Sequence, residues 1–170
     1  VNGISYELII KLLAENRICE LCVPILYGSP KVAAYYRKVL NIENFSLNTI
    51  REPGEANGKR SNIINCVDDN VKVDLGKETP ESDQATMVAL KYALDQLDRD
   101  EIDVLTLAPQ GPNAFFTEEA GSLVEYLGKR YNTTDIMSIL VSEKIKMGFV
   151  TEQVKLRDVP HQVTQKNIFK

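Results

Sequence analysis

The sequence predicts a three-layer α/β fold built on a mostly parallel sheet. Short β-branched runs alternate along the chain with segments of helical period, the pattern that strand-helix-strand units leave in a sequence. The run Val104-Leu105-Thr106-Leu107-Ala108 is almost wholly apolar, as strands in the middle of a parallel sheet are. A strand-turn-helix junction is also visible, where Gly28 stops an apolar run and Ser29-Pro30 supplies a cap and a first helical residue. In this fold class ligands bind beyond the carboxyl ends of the strands. The loop after Ala108 is therefore a candidate site.

Taken in order, Ser5 to Arg17 reads as a helix entered through Asn2-Gly3, with Ser5 as N-cap and Leu8, Ile9, Leu12 and Leu13 as its apolar stripe. Cys22 to Gly28 is a strand, and Pro30 to Leu40 the helix that follows. Phe45 to Ile50 and Asn62 to Val67 are strands separated by an exposed loop that Pro53, Gly54 and Gly58 mark. Val71 to Gly76 alternates with period two and is expected as a half-exposed strand. Pro80 to Leu97 is a helix capped by Ser82 or Thr79, with Ala85, Val88, Ala89 and Tyr92 on one face. The apolar strand Val104 to Ala108 comes next. Thr117 to Arg130 is then a helix capped by Thr117, with Glu118 and Glu119 in its first turn and Leu123, Val124 and Leu127 on one side. Ile136 to Val141 and Lys146 to Thr151 are two further strands. The tail carries a turn at Asp158-Val159-Pro160 and a helix starting near Thr164.

Composition narrows the function. The chain has 170 residues, 44% of them apolar and 26% charged, the proportions of an ordinary globular protein with a substantial core. Twenty Lys and Arg against 24 Asp and Glu give a formal charge of −4, which argues against a nucleic-acid surface and for a small-molecule or protein partner. The longest apolar runs fall far short of the ~20 residues of a membrane span. Three cysteines, an odd number, speak against a disulfide framework and for the reducing cytoplasm.

Several chemistry-bearing residues have ordinary structural readings. Cys19 and Cys22 form a C-x-x-C, but at the end of a helix and not at the helix N-terminus that stabilises a redox thiolate, so both are expected to stay free. His161 is the one histidine, too few for an imidazole metal cluster, and beside Pro160 it reads as a surface turn residue. The loop Pro109-Gln110-Gly111-Pro112-Asn113 carries amides and backbone donors but no proton-transfer group. It could cradle a phosphate or simply turn the chain.

Longer stretches carry the motifs of a known enzyme family. Val1 to Leu13, VNGISYELIIKLL, resembles that family's G-D-x-x-G-I-G-x-E opening without its first two residues. CVPILYGSPKVAAYYRKVLNI resembles the second strand and helix, and NIINCVDDNVKVDLGKETPESDQATMVALKYAL the central section. IDVLTLAP is similar to the strand that ends in the A-P-I-N-K loop, and Glu125-Tyr126-Leu127 to the end of the P-G-H-T-E-Y-L segment. IMSILVSEKIKMGFVTEQVKLRDVPHQVTQKNI resembles the strand pair and the turn after it. The family that these stretches resemble is that of the 4-hydroxythreonine-4-phosphate dehydrogenases of pyridoxal phosphate (vitamin B6) biosynthesis.

The resemblance implies an isocitrate/isopropylmalate dehydrogenase-like fold, with residues 1–170 as a single α/β domain matching the first lobe of a longer chain. It implies a homodimer that oxidises a small phosphorylated hydroxy amino acid with NAD and a divalent metal. It places substrate or cofactor near Asn2, Gly3, Glu7, Pro109, Gln110, Gly111 and Ser122. It assigns no catalytic residue and no metal ligand to this chain, because Gln110-Gly111 stands where the family loop runs on to its lysine. Gly121, Ser122, Leu123 and Val124 occupy the segment of the metal-binding histidine, and Glu152-Gln153 the place of a Gly-His. Two functions follow: an NAD-dependent dehydrogenase, or a catalytically inactive relative that binds a ligand or supports assembly.

Overall fold

The computed structural model describes residues 1–15, 17–111, 121–151 and 154–169. Two compact units divide the chain, residues 1–115 and 116–170.

The first unit holds helices α1 (Ser5–Leu13), α2 (Ile18–Leu21), α3 (Pro30–Val39) and α4 (Pro80–Leu97), with strands β1 (Ile25–Gly28), β2 (Asn48–Ile50) and β3 (Asn62–Asn65). All three strands are parallel, in the order β1-β3-β2, with Leu26 opposite Ile63 and Tyr27 opposite Ile64. Successive strand residues point to opposite faces, and this alternation creates the layers. Leu26 and Ile63 pack with Tyr6, Ile10 and Leu13 of α1 and Val32, Ala33 and Tyr36 of α3. On the other face the Tyr27 ring lies 6.2 Å from that of Tyr92, and its hydroxyl donates to Gln96 Oε1 at 2.7 Å, both on α4. Helices thus cover both faces of a parallel sheet, the predicted three-layer α/β arrangement.

Local chemistry sets the junctions. Ser29 Oγ caps α3 by accepting from Val32 N–H, with Pro30 as first helical residue, as the sequence predicts. Thr79 and Ser82 cap α4 reciprocally, each side chain accepting from the other's backbone N–H. At the amino end of the sheet the fully buried Asn62 joins strands to loop. Its Oδ1 accepts from Asn48 Nδ2 and Asn57 N–H, while its Nδ2 donates to the carbonyls of Pro24, Asn57 and Arg60. The loop between β2 and β3, with a 3-10 turn at Pro53–Glu55, is held there.

Several expectations are corrected. Val104 to Ala108 is not a strand, and Val104 is 74% exposed. A strand needs a neighbour as well as an apolar sequence, and among the described residues none pairs with this segment or with the outer edge of β1. Val71 to Gly76 is irregular too: the N–H groups of Asp74 and Gly76 bond to Asn2 instead of to a strand. Helix α1 begins at Ser5 without using it as cap and ends at Leu13. It buries Tyr6, Ile10 and Leu13, leaving Leu8 and Leu12 exposed, because the Tyr6 hydroxyl accepts the Ser29 N–H at 3.0 Å beneath the sheet's carboxyl end. Burial pushes that hydroxyl up to about 12. In α4 the buried side is Ala85, Met87, Leu90, Ala93 and Leu94, and Val88 and Tyr92 are exposed. Cys19, Cys22 and Cys66 are free, as expected of the first two.

The second unit contains α5 (Leu123–Arg130), β4 (Ile139–Val141), β5 (Lys146–Gly148), α6 (Val159–Gln162) and α7 (Gln165–Ile168). The expected helix start at Thr117, with Glu118 and Glu119, lies outside the described residues, and so do Glu152 and Gln153. Ser122 caps α5 by accepting from Glu125 N–H at 3.1 Å, and the Glu125 carboxylate accepts from Gly121 N–H at 2.9 Å. The two predicted strands form an antiparallel ribbon, Leu140 opposite Met147. The expected turn at Asp158 to Pro160 is instead the junction of a 3-10 turn, Leu156–Asp158, with α6, because Pro160 suits the first turn of a helix. His161 is exposed on α6, and Thr164 caps α7.

Candidate functional site

A cavity of about 300 Å³ opens in the first unit where three stretches meet: Val1 to Ser5, Gly76 to Glu78 and Pro109 to Gly111. Ser82, Asp83 and Thr86 of α4 complete the wall. The cavity belongs to the carboxyl-end side of the sheet, since the first turn of α1 reaches Ser29, just past β1, through Tyr6. Ligands of α/β proteins bind on that side.

Two helix N-termini, those of α1 and α4, contribute to one wall. The uncapped start of α1 leaves N–H groups free, whereas those of Ser82 and Asp83 in α4 are taken by Thr79, so α4 contributes only the positive end of its dipole. The Ser5 hydroxyl donates to the Pro109 carbonyl, tying the loop after Ala108 to the start of α1. Gln110 Nε2 donates to the Ala108 carbonyl at 3.0 Å and so braces its own loop. A Cβ on Gly111 would stand 2.5 Å from Glu78 Oε1, so the glycine lets this carboxylate lie against the loop. Glu78 and Asp83 are the carboxyl groups of the wall. Loss of solvent, and then repulsion by Glu78, raise Asp83 above the usual carboxylate range. Lys77, also on the wall, pairs with Asp74 at 3.2 Å.

Of the residues expected at a site, Asn2, Gly3, Pro109, Gln110 and Gly111 come together here. Glu7 does not line the cavity; its carboxylate pairs with Lys11 at 2.6 Å one turn along α1. Ser122 belongs to the second unit, where its hydroxyl caps α5. The sequence reading missed Ser5, Glu78, Asp83 and Thr86 as wall residues. A signal existed in Thr79-Pro80-Glu81-Ser82-Asp83, since a capped helix start in an α/β fold marks a place where ligands bind. A divalent cation such as magnesium or calcium takes about six oxygen ligands. Among the described residues no group of three or more His, Cys, Asp and Glu side chains is placed to hold a metal. Two carboxyls at this wall do not make such a site.

Comparison with known proteins identifies the family. Residues 20–170 match the family described as Pyridoxal phosphate biosynthetic protein PdxA. A 4-hydroxythreonine-4-phosphate dehydrogenase of Bacteroides thetaiotaomicron is 36% identical over 99% of this chain and 47% of its own length. A Clostridium botulinum protein provisionally named as a D-threonate 4-phosphate dehydrogenase is 24% identical over 98% of this chain and 51% of its own. The crystal structure of a 4-hydroxythreonine-4-phosphate dehydrogenase from Burkholderia phymatum superposes with a TM-score of 0.81 at 17% identity, over 98% of this chain and 52% of that one, a likeness of fold. The chain thus spans about half the length of these relatives. With the family match running over most of its residues, the chain belongs to the pyridoxal phosphate biosynthetic protein PdxA family.

Proposed function

We propose that the protein is an NAD-dependent, metal-requiring dehydrogenase acting on 4-hydroxythreonine 4-phosphate, and that the cavity between α1, α4 and the Pro109 loop receives this substrate. The observation that carries the reading is the pair of helix N-termini on one wall. The free N–H groups at the start of α1 and the positive dipole ends of both helices suit a phosphate without any ionisable side chain, and the Glu78 and Asp83 carboxyls suit the ammonium of an amino acid. Asn2, Gly3, Gln110 and Gly111 supply the backbone around it. NAD, acting as hydride acceptor, comes with the family resemblance. So does the homodimer, while the cytoplasmic setting comes from the odd, small cysteine count. The metal requires ligands beyond the described residues.

A second reading, an inactive relative that binds its ligand without turnover, is favoured by Gln110. It opens the Gln110-Gly111-Pro112 stretch that replaces the family's I-N-K, whose lysine falls at Pro112, and it is hydrogen-bonded within its own loop. Two measurements separate these readings. Calorimetric titration of the chain with 4-hydroxythreonine 4-phosphate should show binding that Gly111→Val abolishes by crowding Glu78, and no binding would end both. NADH formation that depends on a divalent metal would establish the dehydrogenase. An inactive relative would bind the compound without forming NADH.

A further inference from the structure

Asn2 was expected to touch substrate or cofactor, yet its side chain is spent within the protein. It is 4% exposed. Its Oδ1 accepts from Asp74 N–H at 3.0 Å, its backbone carbonyl accepts from Gly76 N–H at 2.9 Å, and its Nδ2 reaches Thr79 Oγ1 at 3.4 Å. The first two bonds have good geometry and the third is weak. Together they fasten the stretch before α4, including the Gly76 to Glu78 wall, to the stretch before α1. Gly76 has a φ of 75°, a conformation that glycine adopts without strain.

Asn2 is itself held from below. The Tyr36 hydroxyl stands 2.7 Å from the Val1 carbonyl and 3.0 Å from the Gly3 carbonyl, so its one proton is shared between the peptides on either side of Asn2. Tyr36 is 3% exposed. Its ring stacks on Tyr6 at 5.5 Å, with 16° between the planes. Such a stack fixes the ring and therefore the hydroxyl.

We infer that Asn2 and Tyr36 are positioning residues: Tyr36 fixes the Val1 to Gly3 backbone, Asn2 transmits that placement to residues 74–79, and neither side chain contacts the ligand. This rests on the proposed use of the cavity for 4-hydroxythreonine 4-phosphate. Tyr36 acts from the core and cannot reach a ligand, so its hydroxyl affects binding only through the wall.

The test compares the chain with its Tyr36→Phe, Asn2→Ala and Tyr6→Phe variants by calorimetric titration with 4-hydroxythreonine 4-phosphate and by amide exchange without ligand. Tyr36→Phe keeps the stack and should fold. It should weaken binding about five-fold and Asn2→Ala about ten-fold, as preorganisation is lost. Exchange at Asp74 and Gly76 should quicken in both. Tyr6→Phe, which loses only the bond from Ser29, should bind as the parent does. Unchanged exchange at Asp74 and Gly76 in Asn2→Ala would overturn the inference, and so would parental affinity in Tyr36→Phe. Should the parent chain not bind the compound, the substrate assignment fails, and the exchange rates still decide whether the two residues set the wall.

Discussion

The two units use similar sequence patterns and reach different degrees of burial. In the first, Ile63 sits between neighbouring strands on both sides with helices above and below, and is 0% exposed. In the second, the ribbon β4–β5 has the same kind of β-branched and apolar residues, yet Leu140 is 61% exposed and none of the unit's described residues is buried. A two-stranded ribbon cannot cover its own faces. An apolar run therefore records that a strand wants burial, and the number of layers around it decides whether it gets any.

The sharpest way to break this comparison is a matched pair of truncations. Ile63→Ala should cost about 3 kcal/mol, the transfer and cavity cost of a packed core, whereas Leu140→Ala should change stability by less than about 0.5 kcal/mol. Urea unfolding followed by circular dichroism reads both, and equal costs would mean the ribbon is covered in solution. Next in size is Asn62→Ala, which strips the partners from buried carbonyls and amides at the amino end of the sheet. It should cost about 2 kcal/mol and release protection at Asn57.

The caps should differ less, because they are local hydrogen bonds. Thr79→Ala in the first unit and Ser122→Ala in the second should each cost about 1 kcal/mol, seen as faster exchange at Ser82 and at Glu125 respectively. A large inequality between them would show that packing also governs the helix ends.

The smallest effects are in pH, and they carry opposite signs. Asp83 is raised, chiefly by desolvation, so the folded chain holds that proton more tightly than the unfolded one. Its contribution is present below the ordinary aspartate range and lost as pH rises through the raised folded value. Glu125 is lowered, first by the Gly121 N–H and then by Lys129, so its contribution is present above the ordinary glutamate range and lost as pH falls through the lowered value. Thermal midpoints across mildly acidic pH should show Asp83→Asn flattening a decline toward neutrality and Glu125→Gln flattening a decline toward acid.

What could be read from sequence was what neighbours along the chain determine. Pro80–Leu97 has the predicted bounds because Thr79, Pro80 and Ser82 are start signals in themselves. Ser29-Pro30 and Thr164 worked for the same reason. Val71 to Gly76 failed because its donors are taken by Asn2, distant in sequence, and no period reveals a distant partner. Val104 to Ala108 failed because strand formation is a property of two segments. Even the α1 stripe went to Tyr6 over Leu8 through a hydroxyl that serves Ser29. The site was half legible: its glycines and the Pro109 loop stood out, while Glu78 and Asp83 looked like ordinary charges near a helix start.

The strand order β1-β3-β2 has a consequence for how the chain acquires its shape. The central strand is the last of the three to be made, and Ile25 must wait for Asn62 before it has a partner. As synthesis proceeds from the amino end, β1 and β2 emerge as two edges with the gap between them unfilled. No hairpin can form early to shorten the search, so closure of a long loop sets the pace. The first unit should gain its sheet in one late cooperative step, when Asn62–Asn65 enters between strands already synthesised.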